Sequence, residues 1–171
     1  MMNLEFYINQ LSTNKLTFDS IFSNVPEELI KWRQEESKWS MIEILCHLYD
    51  EEKEDFRARL KYVIEQPESL PLGINPEAWV TERAYADQDY EAKLENFLDE
   101  REKSVNFLRS LDNPPLDNFY NHASLGPLNG HHFLANWVAH DYLHMRQATK
   151  LKYDFLTQHS GQNLDYAGEW K

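Results

Sequence analysis

HHFLANWVAHDYLHMRQATKLKYDFLTQHS, residues 131–160, runs for thirty positions without a proline or glycine. Proline breaks a helix through its missing N–H and ring clash, and glycine through its backbone entropy, so such a stretch can wind for several turns. Placed at 100° per residue, Phe133, Trp137, Ala148 and Leu151 share one apolar face, the mark of a helix packed on a core. The spacing predicts a helix from just after Gly130 to about Lys152.

Three further segments are equally free of breakers: 1–25, 27–66 and 77–113. In the second, Ser40 and Glu43 have capping-box spacing, which starts a helix near Ser40 and carries it to about Glu65. In the third, a helix covers roughly Asp87 to Leu111. Alternating β-branched runs are weak throughout, so few strands are expected. Four long helices predict an all-α fold, an antiparallel four-helix bundle, formed by a single domain over residues 1–171. The Pro-rich segments 66–82 and 112–130 read as long loops, and their length makes them candidate walls of a substrate entrance.

Composition narrows the function. Twenty-nine acidic residues against 17 basic ones give a net charge of −12. That field repels phosphate backbones and anionic bilayers, so neither nucleic acid nor membrane is an expected partner. No apolar stretch is long enough to span a bilayer, and the N-terminus MMNLEFYINQLSTNK has no signal-peptide pattern. The lone Cys46 allows no internal disulfide and suits a reducing, cytoplasmic setting. With no basic group placed to activate it, it reads as a small buried hydrophobe.

Seven histidines carry the most chemistry. His140 and His144 stand four apart, one turn along the face that holds Phe133 and Trp137. Two imidazoles aimed into an apolar stripe carry a desolvation cost of a few kcal/mol unless hydrogen bonds or a metal offset it. Both readings stand on spacing alone. A third ligand would be His47, yet the apolar stripe of its helix runs through Met41, Ile42, Leu45, Leu48, Tyr49 and Phe56. His47 lies opposite, among Glu43, Asp50, Glu51 and Glu54. Periodicity makes it a solvated residue, or else one wall of an acidic cleft edged by Ile44. His131 and His132 read as capping or surface residues and His159 as part of the tail. His122, in the 112–130 loop, lies near enough to the last helix to approach a site there.

Several of these stretches resemble the DinB-like family of four-helix-bundle metalloproteins. They are WSMIEILCHL (39–48), DEEKEDFRARL (50–60), NPEAWV (75–80), FLDEREKSVNFL (97–108), WVAHDYLHMRQ (137–147) and the ending DYAGEWK (165–171). The resemblance covers nearly the whole chain in order and spacing. It implies three metal-binding histidines: His47, His140 and His144. It implies a divalent cation, Zn or Ni first and Fe or Mn next, since imidazole ligands do not fix the metal. It also implies an enzyme that either transfers a low-molecular-weight thiol to an electrophile or hydrolyses a small molecule. The alternative is a non-catalytic, stress-related metal-binding bundle. A homodimer is expected, as in many bundles of this kind.

Either reaction needs a carboxylate near the metal. Glu51, one turn beyond His47, and Asp141, in the centre of the last helix's apolar stripe, are the candidate catalytic carboxylates. Glu43, one turn before His47, is a weaker one. A buried Asp141 needs a partner, and Arg57 or Arg101 would supply an ion pair. Arg146 and Gln147 complete the motif with no role that spacing assigns.

Overall fold

The computed structural model describes residues 2–66 and 73–170. Four long helical rods form the bundle. They are α1 (Leu4–Phe22), a composite of α3 (Met41–Asp50), a π-helical turn (Glu51–Phe56) and α4 (Arg57–Glu65), then α6 (Tyr90–Ser110) and α7 (Gly130–His159). Short helices α2 (Glu27–Ile30) and α5 (Pro76–Glu82) lie in the connections. A hairpin of β1 (Phe119–His122) and β2 (Gly126–Asn129) precedes α7, with Tyr120 paired to Leu128.

Rod ends follow local chemistry. Asn3, Asp89 and Asn129 each accept a backbone N–H from three residues on, capping α1, α6 and α7. The Ser40–Glu43 capping box starts α3 as the spacing predicts, and Arg33 pairs with the same Glu43 carboxylate. The π-helical turn inserts an extra residue into the second rod, and such turns concentrate at functional sites.

Both α1 and the α3–α4 rod pack against α6 and α7, so the two histidine-bearing rods are neighbours. Two apolar clusters fill the interior. One gathers around Phe18, Phe22, Ile44, Leu45 and Phe97; the other gathers around Leu11, Leu60, Val105, Leu134 and Trp137. Between them every rod contributes one polar residue: Asn14, Glu52, Arg101 and Asp141. Arg101 Nε donates to Glu52 at 2.9 Å, and its two terminal nitrogens meet Asp141 at 2.6 and 2.7 Å. Asn14 adds a bond to Asp141 at 2.8 Å, and the Trp137 indole one to Glu52 at 2.9 Å. A fully buried polar layer of this kind is tolerated because nearly all of its donors and acceptors are matched.

Several sequence expectations need correction. The last helix continues past Lys152 to His159, so His159 is a helical residue stacked on Phe155 rather than part of a tail. Residues 76–82 form α5, with Pro76 in the first turn where its missing N–H costs nothing, so the proposed loop 66–82 is helical at its end. Residues 67–72 of that loop lie outside the described residues. Residues 112–130 contain the hairpin. Its strands carry few β-branched side chains, and Gly126 at φ 75° turns the corner, so only turn chemistry announces it.

The solvated acidic face expected for the second rod is also absent. Glu43, His47, Asp50, Glu51 and Glu52 are all buried, because α3 is enclosed on every side rather than half-exposed. Partners replace water there: Asp50 accepts from the Tyr85 hydroxyl and pairs with Arg83, which also holds Glu54 at 2.9 Å. A wheel assigns faces only to a helix that has a solvent side.

Candidate metal centre

His47 projects from α3, and His140 and His144 from α7. Nε2 of His140 lies 3.2 Å from Nε2 of His47 and 3.0 Å from Nε2 of His144. One ligand atom from each of the three residues lies within 4.8 Å of the others, and no carboxylate among the described residues joins the set. The structure thus brings His47 to the pair on α7, against the exposure its periodicity suggested. His122, His131, His132 and His159 stay outside the cluster.

Trp39, just before the Ser40 cap, lies 6° from parallel with the His144 ring and 4.8 Å from the His47 ring. Phe56, at the end of the π turn, lies 5.0 Å from the His140 ring and stacks on Trp137. These aromatic walls shield His47 from water and cover His140 and His144 in part. Burial pushes His47 down to about 3 and His140 to about 2, with the neighbouring imidazoles adding to the effect. His144 is lowered as well, also by burial, against the opposing influence of Gln147 and Asp141. All three rings are neutral near pH 7.

Neutrality makes the short contacts informative. Gln147 Oε1 faces His144 Nδ1 at 2.7 Å, so the ring's proton sits on Nδ1 and its Nε2 presents a lone pair. His140 Nε2 could donate one proton to His144 or accept one from His47, but not both. No arrangement of protons on three neutral rings therefore turns both contacts into hydrogen bonds. Lone pairs held 3.0–3.2 Å apart are the donor set a divalent cation takes, with bonds of about 2.1 Å to imidazole. The residues fit the metal.

The carboxylates divide. Asp141, next to His140, is wholly buried, and both its oxygens are taken by Arg101 and Asn14. Of the two arginines that sequence offered, Arg101 makes the ion pair, while Arg57 pairs with Glu100. Glu51 is buried one turn beyond His47, to whose carbonyl its N–H bonds, and its Oε1 has no hydrogen-bond partner. Burial and then the neighbouring Asp55, which shares a hydrogen bond with it, push the Glu51 carboxyl up to about 8. Cys46 is fully buried with its thiol pushed up to about 12, and it contributes packing.

Gln147, Trp39 and Phe56 are the contributors that sequence reasoning left without a role. Gln147 had a usable signal, since it lies three residues after His144 and so on the same face of α7. Phe56 had none, because its place under His140 depends on the π turn.

A bundle of four rods with three convergent imidazoles at one junction defines the class: a helical scaffold with a candidate divalent-metal site. Residues 10–148 match the DinB superfamily, and the chain belongs to that superfamily. Among solved structures it is similar to YfiT from Bacillus subtilis, described as a probable metal-dependent hydrolase with an unusual four-helix bundle topology. The TM-score is 0.78 at 14% identity, over 89% of this chain and 87% of that one. At that identity the likeness speaks for the fold. No curated protein matches the sequence.

Proposed function

We propose that this protein is a divalent-metal-dependent hydrolase of a small molecule, with His47, His140 and His144 as ligands. The observation that carries the reading is the convergence of three neutral imidazole nitrogens whose contacts no set of protons satisfies. Three protein ligands leave a coordination position for water or substrate, as catalytic rather than structural sites do. A divalent cation there polarises a carbonyl or phosphoryl oxygen and lowers the pKa of a bound water or thiol. In the net reaction the oxygen of water replaces the leaving group, and a proton of water ends on the leaving group.

The chain's own residues take the remaining tasks. Glu51, buried one turn beyond His47 with one carboxyl oxygen unpartnered, is the residue we assign to pass a proton between water and the leaving group. Asp141 acts through the scaffold: clamped by Arg101, it fixes the turn of α7 from which His140 projects. Gln147 sets the tautomer of His144. Likeness in fold to YfiT, described as a probable metal-dependent hydrolase, supports this branch.

The test is metal analysis of protein purified without an affinity tag, followed by turnover on a panel of small esters, amides and phosphoesters. About one equivalent of divalent metal, lost in His140→Ala, and hydrolysis that stops on chelation are expected. Turnover that requires an added low-molecular-weight thiol would convert the reading to S-transfer. Metal without turnover would make the protein a non-catalytic binder, and metal-free protein of unchanged stability would overturn the reading altogether.

A further inference from the structure

Beside the histidine cluster the β1–β2 hairpin, the second rod, the start of α7 and the stretch at Gly73 and Ile74 line an open cleft of about 430 Å³. That lies within the size range of small-molecule sites. Its position ties it to the metal centre in two ways. Phe56, which lines the cleft, is the residue whose ring sits 5.0 Å from that of His140. Asn136, which lines it from α7, stands one turn before His140 on the same face.

The lining selects a chemistry. Phe56, Tyr120 and Phe133 supply aromatic surface, the last two nearly parallel at 16° with centroids 6.2 Å apart. Aromatic side chains favour offset or edge contacts with another ring. The charged residues at the cleft, Asp55 and Arg59, form an ion pair with each other, and Arg59 also donates to the Tyr120 hydroxyl. A ligand charge of either sign would therefore compete with an existing partner. His122 adds a directed donor. Its Nδ1 accepts the backbone N–H groups of Ser124 and Leu125 at 3.3 Å, which leaves the ring proton on Nε2.

The wall that carries His122 and Tyr120 is preset. Gly130 N–H donates to the Leu116 carbonyl at 2.9 Å, and a Cβ at Gly130 would come within 2.8 Å of Leu116. The segment that leads into β1 is thereby held against the first turn of α7 by a contact in which a side chain at 130 would displace Leu116.

We infer that this cleft binds the uncharged aromatic portion of the substrate, a small aryl ester or amide whose carbonyl extends past Phe56 toward His140. The inference rests on the hydrolase reading but concerns the cleft alone. Benzamide is the probe: an uncharged ring bearing an acceptor. Titrated into the full-length, chelator-treated protein and followed by amide NMR, it should bind with a Kd on the order of millimolar. The shifted signals should be those of Tyr120, His122, Leu128, Phe133 and the Asn136 side chain. Sodium benzoate, benzylamine and acetamide should each bind about tenfold more weakly, because the charge meets paired groups or the ring is missing.

Asn136→Trp, at an exposed helix position that tolerates a large side chain, fills the cleft. It should abolish benzamide shifts while metal stoichiometry stays at the wild-type value. Shifts that map elsewhere, equal binding of acetamide, or benzamide binding unchanged in Asn136→Trp would each overturn the inference. Benzamide binding in a protein that never hydrolyses anything would sink the hydrolase reading and leave the cleft standing. Hydrolysis of aryl esters indifferent to Asn136→Trp would do the reverse.

Discussion

Gln147 Oε1 lies 2.7 Å from Nδ1 of His144, and this contact fixes which nitrogen of that ring faces His47 and His140. A glutamine carbonyl accepts and cannot be protonated near neutral pH, so it holds the Nδ1–H tautomer across the physiological range. The spacing of His144 and Gln147 on one helix makes the arrangement local: it needs only the turn of α7 that carries both.

Gln147→Leu therefore frees the His144 ring without touching a ligand. Metal affinity should fall about 10- to 100-fold, as for other losses of an orienting partner. Gln147→Glu, which keeps an acceptor at the same place, should recover most of it. Competition with a colorimetric chelator reads both. Equal affinity in wild type and Gln147→Leu would show that the metal itself orients the ring.

Arg101 gives a stability prediction. It is 1% exposed and is, among the described residues, the one cation between the Glu52 and Asp141 carboxylates. Arg101→Met leaves two buried carboxylates facing each other across the bundle centre, and loss of one partner of a buried pair costs about 3–5 kcal/mol. Urea unfolding of Arg101→Met should show a loss of that size. A triple change that also replaces Glu52 by Gln and Asp141 by Asn should recover a large part of it. A loss below about 1 kcal/mol, the range of exposed ion pairs, would mean that water reaches the layer.

That layer also shows where sequence stopped being informative. The four rods were legible because their periodicity and breaker-free length are local properties. The His140–His144 pair was legible for the same reason. His47 was misplaced by periodicity, since its helix turns out to be enclosed on all sides by Arg33, Arg83, Tyr85 and Arg101 as partners for its acids. Which cation meets which carboxylate is a tertiary fact: Asp141 meets Arg101, forty residues away, and Glu52 shares it. The π turn and the hairpin left even weaker traces, since one costs a single inserted residue and the other rests on Gly126 and Gly130.

Gly130 offers a check on the hairpin. Its position leaves no room for a side chain, because a Cβ would meet the Leu116 backbone at 3.0 Å as well as the Leu116 side chain at 2.8 Å. Gly130→Ala must push the Leu116 segment, which leads into β1, away from the start of α7, with a cost of about 1–3 kcal/mol, in the range of other overpacked sites. Thermal unfolding measures that cost. Leu116→Ala added to Gly130→Ala should relieve little of it, since backbone atoms make two of the three close contacts. Full rescue by the double variant would show that the side chain alone sets the limit.

The metal-free protein should be most stable near pH 6.5, for two opposing reasons. His47 and His140 titrate at about 6.5 in the unfolded chain but near 3 and 2 in the fold. As pH falls below 6.5 the unfolded state takes up these protons and the folded state does not, so stability drops on the acid side. Glu51 acts in the other sense. Its carboxyl is raised from 4.5 to about 8, so between those values the unfolded chain has released a proton that the fold retains, and stability declines as pH rises. Below 6.5 two histidines outweigh one carboxyl; from 6.5 to 8 the carboxyl prevails, with the raised Asp55 beside it acting in the same sense. Urea midpoints of chelated protein between pH 5 and 8.5 should trace this maximum. Glu51→Gln should flatten the alkaline limb, and His140→Ala should shrink the acid one. Added metal should steepen the acid limb, because protons then compete with the cation for the same nitrogens. A metal-free profile that is flat on both sides would mean that water or counter-charge reaches these groups and that their burial does not govern their ionisation.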